Sequence, residues 1–170
     1  MQEHLVLKNI IENRRSIFPK DYGDGEIKQE ILGEILSSAD YAPNHKKTRP
    51  WLFIPFRGEE KEQLGKTLAE IYRDTAKPGT FLEKKFVDIP GKIAKADTVV
   101  AVCVNFSGAV PEWEEIAATA MAVQNMYLTC TAHQVGCYWS TPAMKDHLGA
   151  FLQLAEHQKC FGLFYIGSLQ

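Results

Sequence analysis

Residues 116–132 read IAATAMAVQNMYLTCTA, a stretch of several helical turns that contains no charged side chain. A helix without a charged face has to be covered on all sides, and this one is too short and too rich in Thr, Gln and Asn to span a membrane. Its alanines permit close helix packing, either in the centre of the fold or across a subunit interface. The sequence therefore predicts a buried helix over these residues.

Apolar runs elsewhere predict the strands. The run TVVAVCVNF at residues 98–106 is nearly continuous, as expected for a strand that is covered on both faces. The run WLFIPF has strand character, but Pro55 requires an edge, a strand end or a bulge. VGCYWSTP, residues 135–142, predicts a turn, a short strand and a loop, and CFGLFYIGSLQ, residues 160–170, predicts a final buried strand.

The remaining segments predict helices and one irregular region. Residues 5–15 have the pattern of a short amphipathic helix, and a second helix carries apolar positions from Ile27 onwards and closes before Pro43. Residues 59–74 predict an exposed helix. Residues 75–92 contain two prolines and two glycines without a clear period, so we expect a loop or an irregular lid there. Strands scattered among helices indicate an α/β or α+β layered fold with a small sheet.

Size and charge narrow the class of protein. The chain has 170 residues, 45% of them hydrophobic and 24% charged, with a net charge of -2. These values predict a single domain over residues 1–170 and exclude a disordered, fibrous or nucleic-acid-coating protein. The amino-terminal residues lack the pattern of a signal peptide, so we expect a cytoplasmic protein without a membrane or nucleic-acid partner.

The four cysteines are widely spaced and contain no CxxC pair, which argues against a zinc knuckle or a redox dithiol. We interpret them as buried free thiols. Cys130 and His133 stand three residues apart, yet no third ligand or orienting acid accompanies them, so no metal site is predicted. Phosphate-loop, triad and metalloprotease motifs are also absent from the sequence.

Three separate clusters remain as candidates for chemistry. The arginine cluster is RRS, residues 14–16, at the end of the first predicted helix. Its arginines could complement the negative end of the helix dipole and otherwise face water. Alternatively, Arg14 and Arg15 could bind phosphate oxygens while the Ser16 hydroxyl fills a remaining acceptor.

The basic loop, residues 43–50, lies between two prolines and carries His45, Lys46, Lys47 and Arg49. It could be a solvated turn or an anion site. The tryptophan segment, residues 139–141, lies within YWSTP. It could be a strand end with packed aromatic side chains, or it could edge a flat ring.

Taken together and in this order, the three clusters resemble the nitroreductase family of flavin proteins, particularly its small subgroup with a histidine in the first loop. The loop sequence APNHKKTRPWLF and the last predicted strand, FGLFYIGSLQ, also resemble this family. The resemblance therefore covers nearly the whole chain. It implies an α+β homodimer with a small, mainly antiparallel sheet, helices on both faces and FMN at the dimer interface.

The resemblance also implies roles for individual residues. Arg14 and Arg15 would hold the FMN phosphate and ribityl chain, with Ser16 as a hydrogen-bond partner. His45 would approach the flavin from the other subunit. The flavin ring and its ribityl tail would lie beside the tryptophan segment, namely Trp139, Ser140 and Thr141.

Lys47 and Arg49 are candidates for another role. Positive charge near the pyrimidine edge stabilises a reduced flavin, and either side chain could donate a hydrogen bond toward the ring. The larger branch of the family has an asparagine and then a glutamine in this loop, a difference that bears on flavin hydrogen bonding and redox potential.

The implied activity is a ping-pong reaction in which NADH or NADPH reduces FMN and a nitroaromatic, quinone or similar acceptor then takes the electrons. No side chain is predicted to act as an acid, base or nucleophile, because the flavin carries the chemistry. Two alternatives stay open: a flavin-binding carrier or regulatory protein without efficient turnover, and a flavin-free relative that binds partners through its dimer surface.

Overall fold

The computed structural model describes residues 2–170, and a single antiparallel sheet lies at its centre. Met1, which belongs to the predicted domain, lies outside the described residues. The strands are β1 (Trp51–Phe56), β2 (Thr98–Asn105), β3 (Gly136–Ser140) and β4 (Gln158–Gly167). Their order in the sheet is β1, β2, β4, β3, so β1 and β3 are the edges. Pro55 therefore lies in an edge strand, as its missing N–H requires.

Helices cover both faces of the sheet. They are α1 (Glu3–Asn13), α2 (Gln29–Ser38), α3 (Gly58–Thr75), α4 (Glu83–Lys95) and α5 (Glu112–Ala132). The residues of α2 and α5 pack on one face of the sheet, and those of α3 and α4 pack on the other. This arrangement confirms the α+β fold with a small antiparallel sheet, and the sheet is antiparallel throughout.

Strand β2 contributes side chains to the hydrophobic cores on both faces of the sheet. Val99, Ala101 and Cys103 pack toward α3 and α4, whereas Val100 and Val102 pack toward α2 and α5. All five are fully buried. Because neither face of β2 meets water, its sequence shows a continuous apolar run instead of alternation.

The prediction of a loop or irregular lid over residues 75–92 is wrong for most of that segment. Helix α4 spans Glu83–Lys95 and contains Pro90. A helix forms because Ile89 and Ile93 pack into the core shared with α3, and a Cβ at Gly65 would lie 3.3 Å from Pro90 Cα. Close tertiary packing thus outweighs the low helix propensity of the Pro90-Gly91 pair.

Helix α5 confirms the predicted helix and begins slightly earlier, at Glu112. It is not covered on all sides within one chain, because Ala120, Met121 and Gln124 are exposed. Its inner positions Ala118, Ala122, Met126 and Cys130 are fully or almost fully buried. Within residues 2–170, none of the helices is both long and apolar enough to cross a bilayer.

The prediction of buried thiols is confirmed for all four cysteines, which are free and buried. Cys103 and Cys160 are paired in register across β2 and β4. The His133 ring lies 2.7 Å from a Glu34 carboxylate oxygen of α2.

Candidate functional site

Tyr127 of α5 brings the arginine cluster and the tryptophan segment together. The backbone N–H of Trp139 donates to the Tyr127 hydroxyl at 2.8 Å, and the Ser16 hydroxyl lies 3.4 Å from the same oxygen. The Arg14 guanidinium lies over the Tyr127 ring, 5.3 Å from its centroid. Two clusters separated by more than a hundred residues therefore share one anchoring side chain.

The chain that follows α1 is held against the exposed edge of the sheet. The backbone N–H of Ile17 donates to the Cys137 carbonyl at 2.9 Å. This bond is possible because β3 is an edge strand, whose outer carbonyls have no strand partner. It fixes residues 14–16 beside Trp139.

The two arginines behave differently. Arg15 donates to the Glu12 and Arg14 carbonyls at 2.7 and 3.0 Å, so it interacts with the negative end of α1. Arg14 is half-buried, and it forms no ion pair among residues 2–170. A half-buried cation without a carboxylate partner favours an anionic ligand.

The side chains of the tryptophan segment lie on both faces of the sheet. The Trp139 side chain packs with the core toward α5, whereas Ser140 is buried on the opposite face and Thr141 is exposed. The Lys92 amine of α4 lies 3.4 Å from the Ser140 hydroxyl. Ser140 therefore connects this segment to the α3–α4 side of the sheet.

A bulge in β4 shapes the same region. Val102 pairs with Gly162 while Cys103 pairs with Cys160, which leaves one extra residue in β4. Gly162 has φ +147°, and a Cβ there would lie 2.5 Å from both the Ser140 carbonyl oxygen and Trp139 Nε1. The close approach of β4 to the tryptophan segment therefore requires glycine.

The basic loop has an unusual backbone. Lys46, Lys47 and Arg49 all have positive φ values of 51°, 56° and 46°. Asn44 holds this conformation, since its Oδ1 accepts from the Arg49 backbone N–H at 2.9 Å and its amide donates to the Ala42 carbonyl at 3.1 Å. Each left-handed non-glycine residue costs on the order of 1 kcal/mol, a cost that is typical of functional loops.

Most cations of the basic loop have partners. His45 lies 2.5 Å from a Glu114 carboxylate oxygen, Lys46 donates to the Ala109 carbonyl at 3.0 Å, and Arg49 pairs with Asp40 at 2.5 Å. Among the described residues, Lys47 alone of these four has no such partner. Lys46 and Lys47 are therefore the two lysines of the loop without a carboxylate partner among the described residues.

The basic loop and the arginine cluster lie at opposite ends of α5. The loop contacts Glu114 in the first turn, and the arginine cluster contacts Tyr127 near the last turn. At 1.5 Å per residue, these positions are about 20 Å apart along the helix axis. Within one chain, the structure therefore unites the first and third clusters and leaves the basic loop apart.

The sequence matches the family model described as Nitroreductase family over residues 11–168. The match spans far more than half of the chain and includes all three clusters. The chain belongs to the nitroreductase family. The predicted membership is therefore confirmed, while its narrower assignment to a subgroup with a histidine in the first loop stays a prediction.

Individual nitroreductases agree with this assignment. The chain is 28% identical over 166 residues to YfhC of Bacillus subtilis (strain 168), provisionally named an NAD(P)H nitroreductase; the aligned part is 96% of this chain and 79% of that protein. A nitroreductase-like family protein from Bacillus cereus has a TM-score of 0.82 at 22% identity, covering 100% of this chain and 89% of that one.

A further solved structure is the FMN-dependent nitroreductase NfnB from Mycobacterium smegmatis in complex with NADPH. It has a TM-score of 0.78 at 15% identity and covers 98% of this chain and 89% of that one. At these identities, the likeness to the solved structures establishes the nitroreductase fold.

Two residues of this candidate site, Tyr127 and Lys92, are not identified by the sequence analysis. Tyr127 is the single tyrosine in the uncharged stretch of α5, a signal that could have marked it as a polar group in need of a partner. Lys92 follows the apolar positions Phe86 and Ile89 in a segment that was not predicted to be helical. Because no helix is predicted there, the sequence gives no indication that the Lys92 amine lies near Ser140.

Proposed function

We propose that this protein is an FMN-dependent oxidoreductase that uses NADH or NADPH to reduce nitroaromatics, quinones or similar acceptors. The observation that carries the proposal is the cluster around Tyr127, where an unpaired, half-buried Arg14 and the Ser16 hydroxyl lie beside the tryptophan segment. Family membership supports it, as do the name of YfhC and the FMN-dependence and NADPH complex of NfnB.

The residues present fit an anionic, partly aromatic cofactor. Arg14 offers a charge without a carboxylate partner, and Ser16 offers an exposed hydroxyl. In this proposal the arginine cluster, Arg14, Arg15 and Ser16, holds the phosphate and ribityl chain. The flavin ring lies beside the tryptophan segment, Trp139, Ser140 and Thr141.

FMN bound there would supply the redox chemistry, namely hydride uptake from NADH or NADPH and electron transfer to an acceptor that binds after the oxidised nicotinamide has left. The protein binds and orients the reactants and excludes water. Lys47 is the stronger candidate for tuning the flavin, because the charge of Arg49 is compensated by Asp40. No acid, base or nucleophile of the chain is required.

A homodimer would complete the site. The basic loop lies about 20 Å from the arginine cluster along α5, too far to reach the same ring within one chain. In a two-fold dimer, His45, Lys47 and Arg49 of one subunit could approach the flavin held by the other. Uncovered apolar side chains support this: Leu5, Leu7 and Ile11 of α1 are 49%, 53% and 51% exposed.

The visible spectrum of the purified protein, recorded with added FMN and then with NADH or NADPH under anaerobic conditions, tests the proposal. We expect a protein-bound flavin spectrum that bleaches with a nicotinamide and returns with a quinone. A bound flavin that neither nucleotide bleaches would instead indicate a carrier or regulatory protein. A protein that retains no FMN overturns the proposal.

Mixed dimers test the shared site. We expect that Arg14→Ala and Lys47→Ala each weaken FMN binding in the homodimers. If the basic loop acts across the interface, subunit exchange between the two variants restores FMN binding at about a quarter of all sites. About half of the dimers are then mixed, and each mixed dimer has one site without a substitution. If the mixtures contain mixed dimers but regain no FMN binding, both residues act within one chain.

A further inference from the structure

The histidine of the basic loop is anchored through one of its two ring nitrogens. His45 Nδ1 lies 2.5 Å from a Glu114 carboxylate oxygen. The His45 side chain is 56% exposed, whereas that of Glu114 is 23% exposed. Among residues 2–170, His45 Nε2 has no hydrogen-bond partner. The ring is therefore fixed on one side and open on the other.

The Glu114 carboxylate belongs to a firmly held segment. Glu114 lies in the first turn of α5, where its backbone N–H donates to the Pro111 carbonyl at 3.0 Å. The next residue, Glu115, is 1% exposed, and its carboxylate accepts from the Ser107 backbone N–H at 3.1 Å. The Ser107 hydroxyl in turn accepts from the Ala109 backbone N–H at 3.1 Å. These bonds give the Glu114 side chain a fixed support.

The basic loop is attached to this support at two successive residues. Besides the contact of His45 with Glu114, the Lys46 amine donates to the Ala109 carbonyl at 3.0 Å. Lys46 and Lys47 both have left-handed backbone conformations, with φ of 51° and 56°, so the chain changes direction directly after His45. Two attachments at this bend restrict the direction of the imidazole more closely than one could.

The chemistry of the His45–Glu114 contact determines where the ring proton lies. A carboxylate accepts hydrogen bonds and donates none, so His45 Nδ1 carries the proton in this contact. The neutral ring then presents Nε2 as an acceptor. Neutral histidine without such a partner favours the other tautomer, with the proton on Nε2.

We propose that Glu114 is a positioning residue that sets the tautomer and the orientation of His45, so that Nε2 is the nitrogen presented to the cofactor across the dimer interface. The role toward the cofactor rests on the proposed function, whereas the tautomer does not. The neutral His45 ring accepts a hydrogen bond at Nε2 from a hydroxyl or N–H group of the flavin nucleotide. Glu114 touches neither cofactor nor substrate and acts only through His45.

His133 provides an internal comparison. Its Nε2, and not its Nδ1, lies 2.7 Å from a Glu34 carboxylate oxygen. The same argument places the proton of the neutral His133 ring on Nε2. The two histidines are therefore expected to show opposite tautomers in one sample.

Long-range proton–nitrogen correlation spectra of protein labelled at the histidine nitrogens test the tautomer. They are recorded with and without FMN, at a pH high enough to keep the rings neutral, and the His45 signals are assigned by their loss in His45→Phe. We expect the Nδ1–H form in the unchanged protein and in Glu114→Gln, whose amide oxygen still accepts. Glu114→Leu offers no acceptor and is expected to shift His45 to the Nε2–H form. Glu112→Gln, at an exposed position of the same helical turn, is the control and should change neither histidine.

FMN titration of the same two Glu114 variants tests the role toward the cofactor. Both variants remove the charge of Glu114, so the difference between them isolates the hydrogen bond to His45. We expect Glu114→Leu to bind FMN about fivefold more weakly than Glu114→Gln. Glu114→Ala takes the place of Glu114→Leu if that variant does not fold.

The outcomes separate this proposal from the proposed function. An Nε2–H form of His45 in the unchanged protein, or an Nδ1–H form that persists in Glu114→Leu, overturns the proposal whether or not FMN binds. Equal FMN binding by Glu114→Gln and Glu114→Leu overturns the role toward the cofactor. An unchanged protein that retains no FMN overturns the proposed function, and the spectra then still decide whether Glu114 sets the His45 tautomer.

Discussion

The Tyr127 hydroxyl accepts a hydrogen bond from the backbone N–H of Trp139 at 2.8 Å, and so joins helix α5 to the edge strand β3. The same hydroxyl lies 3.4 Å from the Ser16 hydroxyl, and either of the two can be the donor. One phenol therefore positions both parts of the candidate flavin site.

Tyr127→Phe tests this arrangement. The ring under Arg14 remains, but the Trp139 N–H loses its acceptor and Ser16 loses its neighbour. We expect the free energy of unfolding to fall by about 1 kcal/mol and FMN to bind several-fold more weakly. Urea denaturation and FMN titration measure the two effects.

Tyr41→Phe is the control for that substitution, because Tyr41 is 85% exposed. It should change neither stability nor FMN binding. If Tyr127→Phe behaves like this control, Tyr127 does not position the site.

Asn44→Ala should loosen the basic loop. The substitution removes the bonds to the Arg49 N–H and the Ala42 carbonyl that hold a loop with three left-handed residues. We expect a loss of about 1–2 kcal/mol in unfolding free energy, together with faster hydrogen exchange over residues 43–50. Asn13→Ala, whose amide bonds only to Asn9 within α1, should leave exchange in the loop unchanged. Unaltered exchange in Asn44→Ala would contradict the prediction.

Gly162→Ala should disrupt the approach of β4 to the tryptophan segment. The added Cβ would meet the Ser140 carbonyl and Trp139 Nε1 at 2.5 Å, at a φ of +147°. We expect a loss of about 3 kcal/mol in stability and a weaker retention of FMN. Gly33→Ala on α2 meets nothing within 4 Å and should gain about 0.5–1 kcal/mol. Thermal unfolding that ranks the two variants in the opposite order would show that the bulge tolerates a side chain.

Lys92→Met should stabilise the protein at neutral pH. Burial lowers the Lys92 pKa, so below that value both folded and unfolded chains are protonated and the folded state bears the full cost of the ammonium. Between the lowered pKa and the ordinary value of 10.5, the unfolded chain binds more protons, and the stability of the unchanged protein rises with pH.

The melting temperature of Lys92→Met at pH 7 is therefore expected to rise by about 1–3 °C, a modest shift because Lys92 is only partly buried. The difference from the unchanged protein should shrink as the pH approaches 10.5. Lys84→Met, at an exposed position, should show neither effect. A lower melting temperature for Lys92→Met at pH 7 would contradict a stability cost of the buried amine.

The strands and most helices could be predicted because their sequences carry one dominant signal. The apolar run of β2 and the uncharged residues of α5 have few ways to avoid water. Helix α4 carried a conflicting signal, since Pro90 and Gly91 disfavour a helix that only packing against α3 stabilises. The stabilisation from that packing cannot be predicted from local sequence, which shows only the low helix propensity of this pair.

The family, the α+β fold and the three clusters were predictable from the chain alone, because they depend on ordered motifs and on hydrophobic patterns along it. Which clusters meet follows from the folded arrangement: Tyr127 joins the first to the third, and the length of α5 keeps the basic loop apart. The folded arrangement also places Lys92 beside Ser140. These relationships join residues distant in the chain through single hydrogen bonds, which leave no periodic trace in the sequence.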